Sequence, residues 1–411
     1  MCAPWTCGRG MRMVDALYIH VPFCHAKCLY CDFDSRACRD ASAYDAYVAS
    51  MRACIERLGE TGALSSCRTV YIGGGTPSVL GDLLVELAQT VREAAPGVVE
   101  FSCEANSESF SAGLAESLAG AGVTRVSLGV QSFVDDELRA LGRLHSARGA
   151  REAIDAARAA GLDVSCDLMC GIPLQTAESW EATLDAAVAA RTDHVSVYPL
   201  TIEDGTPLAA KVERGALAEP DEDFQAWCME EARRRLGSAG MRPYEVASYA
   251  RPGKECAHNI AYWTGKSYLG LGRSAASMFD RKTYGELRCN LSLPEVGEDA
   301  ARIRFVQTTD ALPGGRRAPA SFDIEQMRAR EAVAEDLMLG MRMSCGVDGE
   351  LLLRAREEIG LDAVDRAVDH ALSRGLARWC DAAGGRRLVP THDGWLLGNE
   401  LYGLFWDLAS A

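Results

Sequence analysis

Cys24, Cys28 and Cys31 lie within YIHVPFCHAKCLYCDFDS (18–35), spaced C-x3-C-x2-C on a loop that follows a short apolar stretch. Three thiolates this close can hold three irons of a [4Fe–4S] cube and leave the fourth iron without a protein ligand. An open iron is a place for chemistry, as an open coordination position is in catalytic metal sites generally. Two plainer readings compete. A structural zinc site wants four ligands, so His20 and His25 would have to complete it, because no second C-x2-C follows. A disulfide needs an oxidising compartment, and the first dozen residues, MCAPWTCGRGMR, lack the apolar core of an export signal. They read as a tail over 1–14, with Met11 or Met13 as alternative starts.

The elements that must position this loop alternate. Apolar stretches at 16–21, 69–74, 99–105, 125–132, 163–171 and 194–200 read as strands, and the segments between them carry helical periodicity. Ser146 and Thr176 are placed as helix N-caps, and Gly161 as a C-terminal stop. Repeated strand–helix units predict a parallel sheet with helices outside. In such α/β architectures ligands gather at the C-terminal strand ends. Gly73, Gly74, Gly75 and Thr76 follow the second strand, where bare backbone approaches a ligand closely; an isolated glycine run reads equally as a tight turn. Glu104 ends the third strand, Gln131 the fourth, and Asp167 lies on the fifth, while Arg143 and His145 stand in LGRLH just before a helix. Each alone reads as an ordinary polar residue; together they deliver carboxylates, an amide and a guanidinium to one rim.

The cysteine loop and its flanks resemble the radical S-adenosylmethionine (SAM) superfamily. In that family SAM chelates the open iron and is cleaved to methionine and a 5′-deoxyadenosyl radical. The resemblance implies an α/β fold, a partial (β/α)6 TIM-like barrel, with a small C-terminal α+β winged-helix-like domain. It implies that Cys24, Cys28 and Cys31 bind the [4Fe–4S] cluster, and that Tyr18, Gly74, Gly75, Thr76, Glu104, Gln131, Arg143 and Asp167 bind SAM.

YIHVPFC, KCLYCDFDS, YIGGGTPS, LGVQSF, LGRLH, DLMCGIPLQT and HVSVYPLTIEDGTPL match, in order, the subgroup that contains heme chaperones and oxygen-independent coproporphyrinogen III dehydrogenases. The match covers about 15–280. His258, Tyr262 and Trp263 fall in an HNxxYW segment resembling that of the chaperones, where an imidazole and two aromatics suit heme. Taken alone, His258 reads as a structural histidine. Dehydrogenases carry a further cysteine two residues after the third ligand, where Phe33 stands here, and a longer N-terminal extension. Against this, SAAS at 274–277 lacks the histidine usual in chaperones, Ala276 standing in its place. The favoured reading is a heme chaperone retaining a SAM-binding cluster, with an acceptor protein and an electron donor as partners. The alternatives are the dehydrogenase, an oxidoreductase, or another radical SAM enzyme. Homodimerisation and peripheral membrane contact stay open.

The chain divides into a core over 15–240, an extension over 241–322 and a C-terminal unit over 323–411. Within it, 207–240 holds a long helical stretch, DEDFQAWCMEEARRRLGSAG, ended by Gly237 and Gly240, while 278–322 reads as an irregular linker and 324–343 as helix. A hairpin turning at Gly384-Gly385 precedes a last helix from about 393. At 411 residues, with 48% hydrophobic and 25% charged residues, the composition is that of a globular protein. A net charge of −15 argues against nucleic acid, and no apolar run has membrane-helix length. Of 16 cysteines, the thirteen outside the loop read as packing residues in a reducing cytosol.

Overall fold

Strands buried on both faces need neighbours on both sides, and the expected strand–helix alternation supplies them. The computed structural model describes residues 14–313, 320–382 and 385–410. The start alternatives Met11 and Met13, the 314–319 part of the expected linker and Gly384 of the expected hairpin turn lie outside the described residues. The first elements are β1 (Ala16–Val21), β2 (Phe23–Cys24), β3 (Arg36–Ala37), α1 (Ala41–Glu60), β4 (Thr69–Gly74), α2 (Asp82–Ala94), β5 (Glu100–Ala105), α3 (Ala112–Gly120), β6 (Arg125–Gln131), α4 (Asp135–Ala140), α5 (Ala147–Ala159), β7 (Asp163–Cys170), α6 (Ala177–Ala189) and β8 (His194–Pro199). β1, β4, β5, β6, β7 and β8 lie side by side and parallel, which is the partial barrel expected.

Local chemistry explains the helix ends. The Ser146 side chain accepts from Gly149 N at the start of α5, and Gly161, at φ 80°, follows its last turn. Thr176 and Ser179 form a reciprocal capping box on α6. Val126, Leu128 and Val130 of β6 pack in the large core, while Arg125, Ser127, Gly129 and Gln131 line the lumen. β7 and β8 repeat the pattern with Ser165 and Asp167, then His194 and Ser196. A packed barrel would fill that lumen with branched apolar side chains; polar side chains leave a cavity of about 480 Å³ here.

The chain continues with α7 (Pro207–Glu213), α8 (Glu222–Ser238), β9 (Arg242–Pro243), β10 (Ser248–Ala250), α9 (Ala257–Trp263), β11 (Tyr268–Leu271), β12 (Ala276–Asp280), α10 (Arg281–Leu291), β13 (Arg302–Gln307) and β14 (Phe322–Met327). β11 pairs parallel to β1, and β12 to β14 extend the sheet antiparallel; β10 and β9 extend it beyond β8. Four expectations are corrected here. The long helix expected within 207–240 is α8, but Gly237 lies inside it rather than at its end. The supposed linker 278–322 contains α10 and β13. RIRFVQ alternates, with Ile303, Phe305 and Gln307 buried, and Phe305 contacts Phe279, Tyr284 and Phe322. Residues 322–327 are strand rather than helix. Finally, Cys289 and Cys345 are exposed and Cys380 half-buried, so not every remaining cysteine is a packing residue.

The last elements are α11 (Ala329–Met341), β15 (Val347–Asp348), α12 (Gly349–Glu358), α13 (Leu361–Ser373), β16 (Ala377–Ala382), β17 (Gly385–Pro390), α14 (His392–Leu396) and α15 (Gly398–Trp406), and all but α14 contribute to a second apolar core. It docks on the barrel through polar and aromatic contacts. Arg342 lies over both Trp263 and Tyr402, at 5.0 and 4.9 Å, and Trp395 Nε1 donates to the Val246 carbonyl at 2.9 Å.

Candidate functional site

The lumen opens at the C-terminal strand ends, and the cysteine loop lies across that mouth. Cys24, Cys28 and Cys31 all line the cavity, together with Gly74, Gly75, Thr76, Glu104, Gln131, Arg143 and Asp167. Nine of the expected cluster and SAM residues follow from strand ends converging, and Arg143 joins them from the loop after α4. Tyr18 is not among the lining residues. Its hydroxyl instead donates to His20 Nδ1 at 3.1 Å, because His20 Nε2 must carry the proton it gives to the Asp34 carbonyl at 2.9 Å. With both nitrogens occupied, His20 has none to offer a zinc ion.

Around the thiols the contacts are specific. Thr76 Oγ1 donates to Cys24 Sγ at 3.4 Å, and Arg143 Nη1 to Cys28 Sγ at 3.2 Å. Burial pushes the Cys31 thiol up. A Cβ on Gly75 would stand 2.6 Å from the Phe23 carbonyl and 3.0 Å from Cys24 Sγ, so the bare backbone is a requirement of the loop's approach. Gly74 takes φ 106° against the His20 ring. Among the described residues no three His, Cys, Asp or Glu side chains close round a single metal ion. The three thiols stand apart around the mouth, Cys24 beside Gly75 and Thr76, Cys28 beside Arg143. A cation on one thiol and a hydroxyl on another suit an anionic iron–sulfur cluster, whose ligand sulfurs are tuned by such hydrogen bonds. The donor set therefore fits the cluster.

Below the mouth sit two half-buried acids that face the lumen. Glu104 accepts from Tyr71 OH at 2.9 Å and from Gly74 N at 3.1 Å. Burial, then the Asp167 charge, raises its pKa to about 7 against the pull of those donors. Burial likewise raises Asp167 to about 6, although Ser127 Oγ donates to it at 3.0 Å. Both carboxyl groups can accept from an ammonium or from ribose hydroxyls. Gln131 presents its side chain from a β-bulge at φ 66°. Burial works to lower the Arg143 pKa, but the neighbouring Tyr30 and Cys28 outweigh it and hold the guanidinium protonated.

Sequence reasoning missed Asn106, whose Nδ2 donates to Thr76 and whose Oδ1 accepts from Arg143 Nη2 at 2.6 Å. It joins the glycine loop to the arginine. It also missed Tyr30, Tyr71, Ser127, Ser196 and Tyr198 on the lumen wall. The signal was present as polar residues alternating with apolar ones inside strands that are buried on both faces.

His258, Tyr262 and Trp263 are not at the mouth. They form α9, whose N-terminal turn packs under the opposite end of the lumen. His258 is 1% exposed; its Nδ1 bonds Thr69 Oγ1 at 3.0 Å and its Nε2 bonds Tyr262 OH at 3.1 Å. Burial lowers its pKa to about 3, and Tyr71 stacks on it at 5.3 Å. This corrects the expectation of an open imidazole flanked by aromatic faces: the ring is a floor element with both nitrogens in use.

Three comparisons bear on this geometry. The family model of the Radical SAM superfamily matches residues 18–187. Heme chaperone HemW of Mycobacterium tuberculosis H37Rv is 36% identical over 372 residues, covering 86% of this chain and 94% of that protein. Heme chaperone HemW of Bacillus subtilis is 30% identical over 400 residues, covering 95% and 99%. Among solved structures, coproporphyrinogen III oxidase (HemN) from Escherichia coli superposes with a TM-score of 0.74 at 19% identity, over 96% of this chain and 90% of that one. That last likeness speaks to the fold alone.

Proposed function

The chain belongs to the heme chaperone HemW family of the radical SAM superfamily, and from that membership we propose that it binds heme and delivers it to an acceptor protein. Family membership implies a [4Fe–4S] cluster and SAM. In this reading Cys24, Cys28 and Cys31 hold the cluster. Arg143 faces the SAM carboxylate, with Glu104, Gln131 and Asp167 at its ammonium and ribose, Gly74, Gly75 and Thr76 along its methionine end, and Tyr18 supporting the wall through His20. When bound, the cluster supplies one-electron chemistry to SAM, with electrons from a donor in the cytosol. The chain's own residues orient the ligand and raise the pKa values of Glu104 and Asp167 above the usual carboxylate range.

The observation that carries the chaperone reading over the dehydrogenase is Phe33. It occupies the position of the dehydrogenases' further cysteine, lines the cavity mouth and is 59% exposed. A phenyl ring offers no thiol there, but it offers an apolar surface beside the cluster loop. A flat macrocycle suits such a surface.

Anaerobically reconstituted protein should bind about one heme per chain and leave coproporphyrinogen III unchanged in the presence of SAM and a reductant. Release of carbon dioxide and 5′-deoxyadenosine from coproporphyrinogen III would sink the chaperone reading in favour of the dehydrogenase.

A further inference from the structure

The floor of the lumen holds a group that nothing above uses. Arg125, the first residue of β6, is 4% exposed and lines the same cavity as the cluster loop. Its Nη2 donates to the carbonyls of Lys254 and Glu255 at 2.9 and 3.2 Å and lies 3.5 Å from Glu100 Oε2. Its Nε and Nη1 have no hydrogen-bond partner among the described residues. Ser102, its cross-strand neighbour on β5, is fully buried, and its hydroxyl is also unpartnered. Buried polar groups are nearly always satisfied, so three enclosed, unpartnered atoms at adjacent positions need an account.

The groups around them are already engaged. Glu100 accepts from the backbone N–H of Ala257 and His258, at 2.8 and 2.9 Å. His194 bonds Ser165 Oγ at 2.8 Å and Tyr244 OH at 2.9 Å. Burial, then the Arg125 charge, keeps His194 neutral, with a pKa lowered to about 3. Arg125 is therefore the cation of the floor with N–H groups left to give.

We propose that Arg125 and Ser102 form a second ligand subsite, at the barrel floor, that takes the carboxylate of a small organic acid. A guanidinium N–H beside a hydroxyl suits a carboxylate oxygen. Singly charged acids are favoured over phosphate, because Glu100 stands beside the arginine and Glu104 and Asp167 line the lumen above. Arg125 lies four residues before Gly129, the level at which Arg143 docks, or about 13 Å down the strand. At that depth the subsite is separate from the groups around the thiols.

The test uses the full chain with its cluster reconstituted, without heme or SAM, so that its failure is distinct from failure of the chaperone reading. Saturation-transfer NMR would follow titrations of sodium propionate, propionamide and inorganic phosphate. Propionate should bind, with propionamide and phosphate at least tenfold weaker. Arg125→Gln should weaken propionate at least tenfold, and Ser102→Ala severalfold with an unchanged circular dichroism spectrum. If Arg125→Gln does not fold, Ser102→Ala decides. Absence of propionate binding to the wild type, equal binding of propionamide, or unaltered affinity in Ser102→Ala would overturn the proposal; the first would mean that the guanidinium holds water only.

Discussion

Glu104 and Asp167 are costly residues in the absence of a ligand, and the pH dependence of stability should reveal it. Both have folded pKa values above the ordinary values of 4.5 for Glu and 3.8 for Asp, at about 7 and about 6. Each favours the folded state while protonated. Its contribution is fully present below the unfolded value and is lost as pH rises through the folded one. The SAM-free protein should therefore be less stable at pH 8 than at pH 5. Glu104→Gln should narrow that gap by about 1–3 kcal/mol in urea unfolding; an unchanged gap would show that the acid is not desolvated. The thiols make a second residue-scale prediction. Replacing Cys24, Cys28 or Cys31 with Ser should abolish iron incorporation and the brown chromophore after anaerobic reconstitution, while zinc in stoichiometric amount in wild-type protein prepared without oxygen would refute the cluster. Asn106 ties Thr76, beside Cys24, to Arg143, beside Cys28. Asn106→Ala should weaken SAM binding by calorimetry, leaving the Thr76 hydroxyl without its donor and the Arg143 guanidinium one acceptor short, at about 1–3 kcal/mol.

Among the elements, α9 changed meaning most between chain and fold. As a motif it promised an iron ligand; in the barrel it is a plug, its first-turn N–H groups on Glu100 and His258 wedged between Thr69, Tyr71 and Tyr262. His258→Ala should then cost about 1–3 kcal/mol in unfolding free energy. Loss of the heme Soret band with unaltered stability would restore the ligand role. The glycine run after β4 was legible because positive φ and close approach have few substitutes. The alternation in β13 was passed over because its polar partners Arg302 and Arg304 look like a solvated stretch, whereas both pair with Glu335 of α11. Gly75→Ala, with 2.6 Å to a carbonyl, should cost about 1–3 kcal/mol and lower cluster occupancy.

At the scale of the whole molecule, the C-terminal unit is anchored where Arg342 sits between Trp263 and Tyr402, so the floor helix also serves as a docking post. Arg342→Ala should loosen the two units by about 1–2 kcal/mol, measured as faster proteolysis between β10 and α11; an unaltered digestion pattern would show that other contacts hold the interface. Among the described residues no helix is long and apolar enough to cross a membrane. What the chain determined by itself was local or periodic. Cysteine spacing, glycine runs, N-caps at Ser146 and Thr176 and six alternating strands each follow from chemistry within a few residues, and they sufficed for the barrel and the mouth. What only the tertiary structure decided was which end of the lumen each polar residue reaches. His258 and Arg125 lie at the N-terminal ends of the parallel strands, and Glu104 and Arg143 toward the C-terminal ends. The difference between a plug, an open floor and a cofactor site is set by register between strands distant in sequence, which no local pattern encodes.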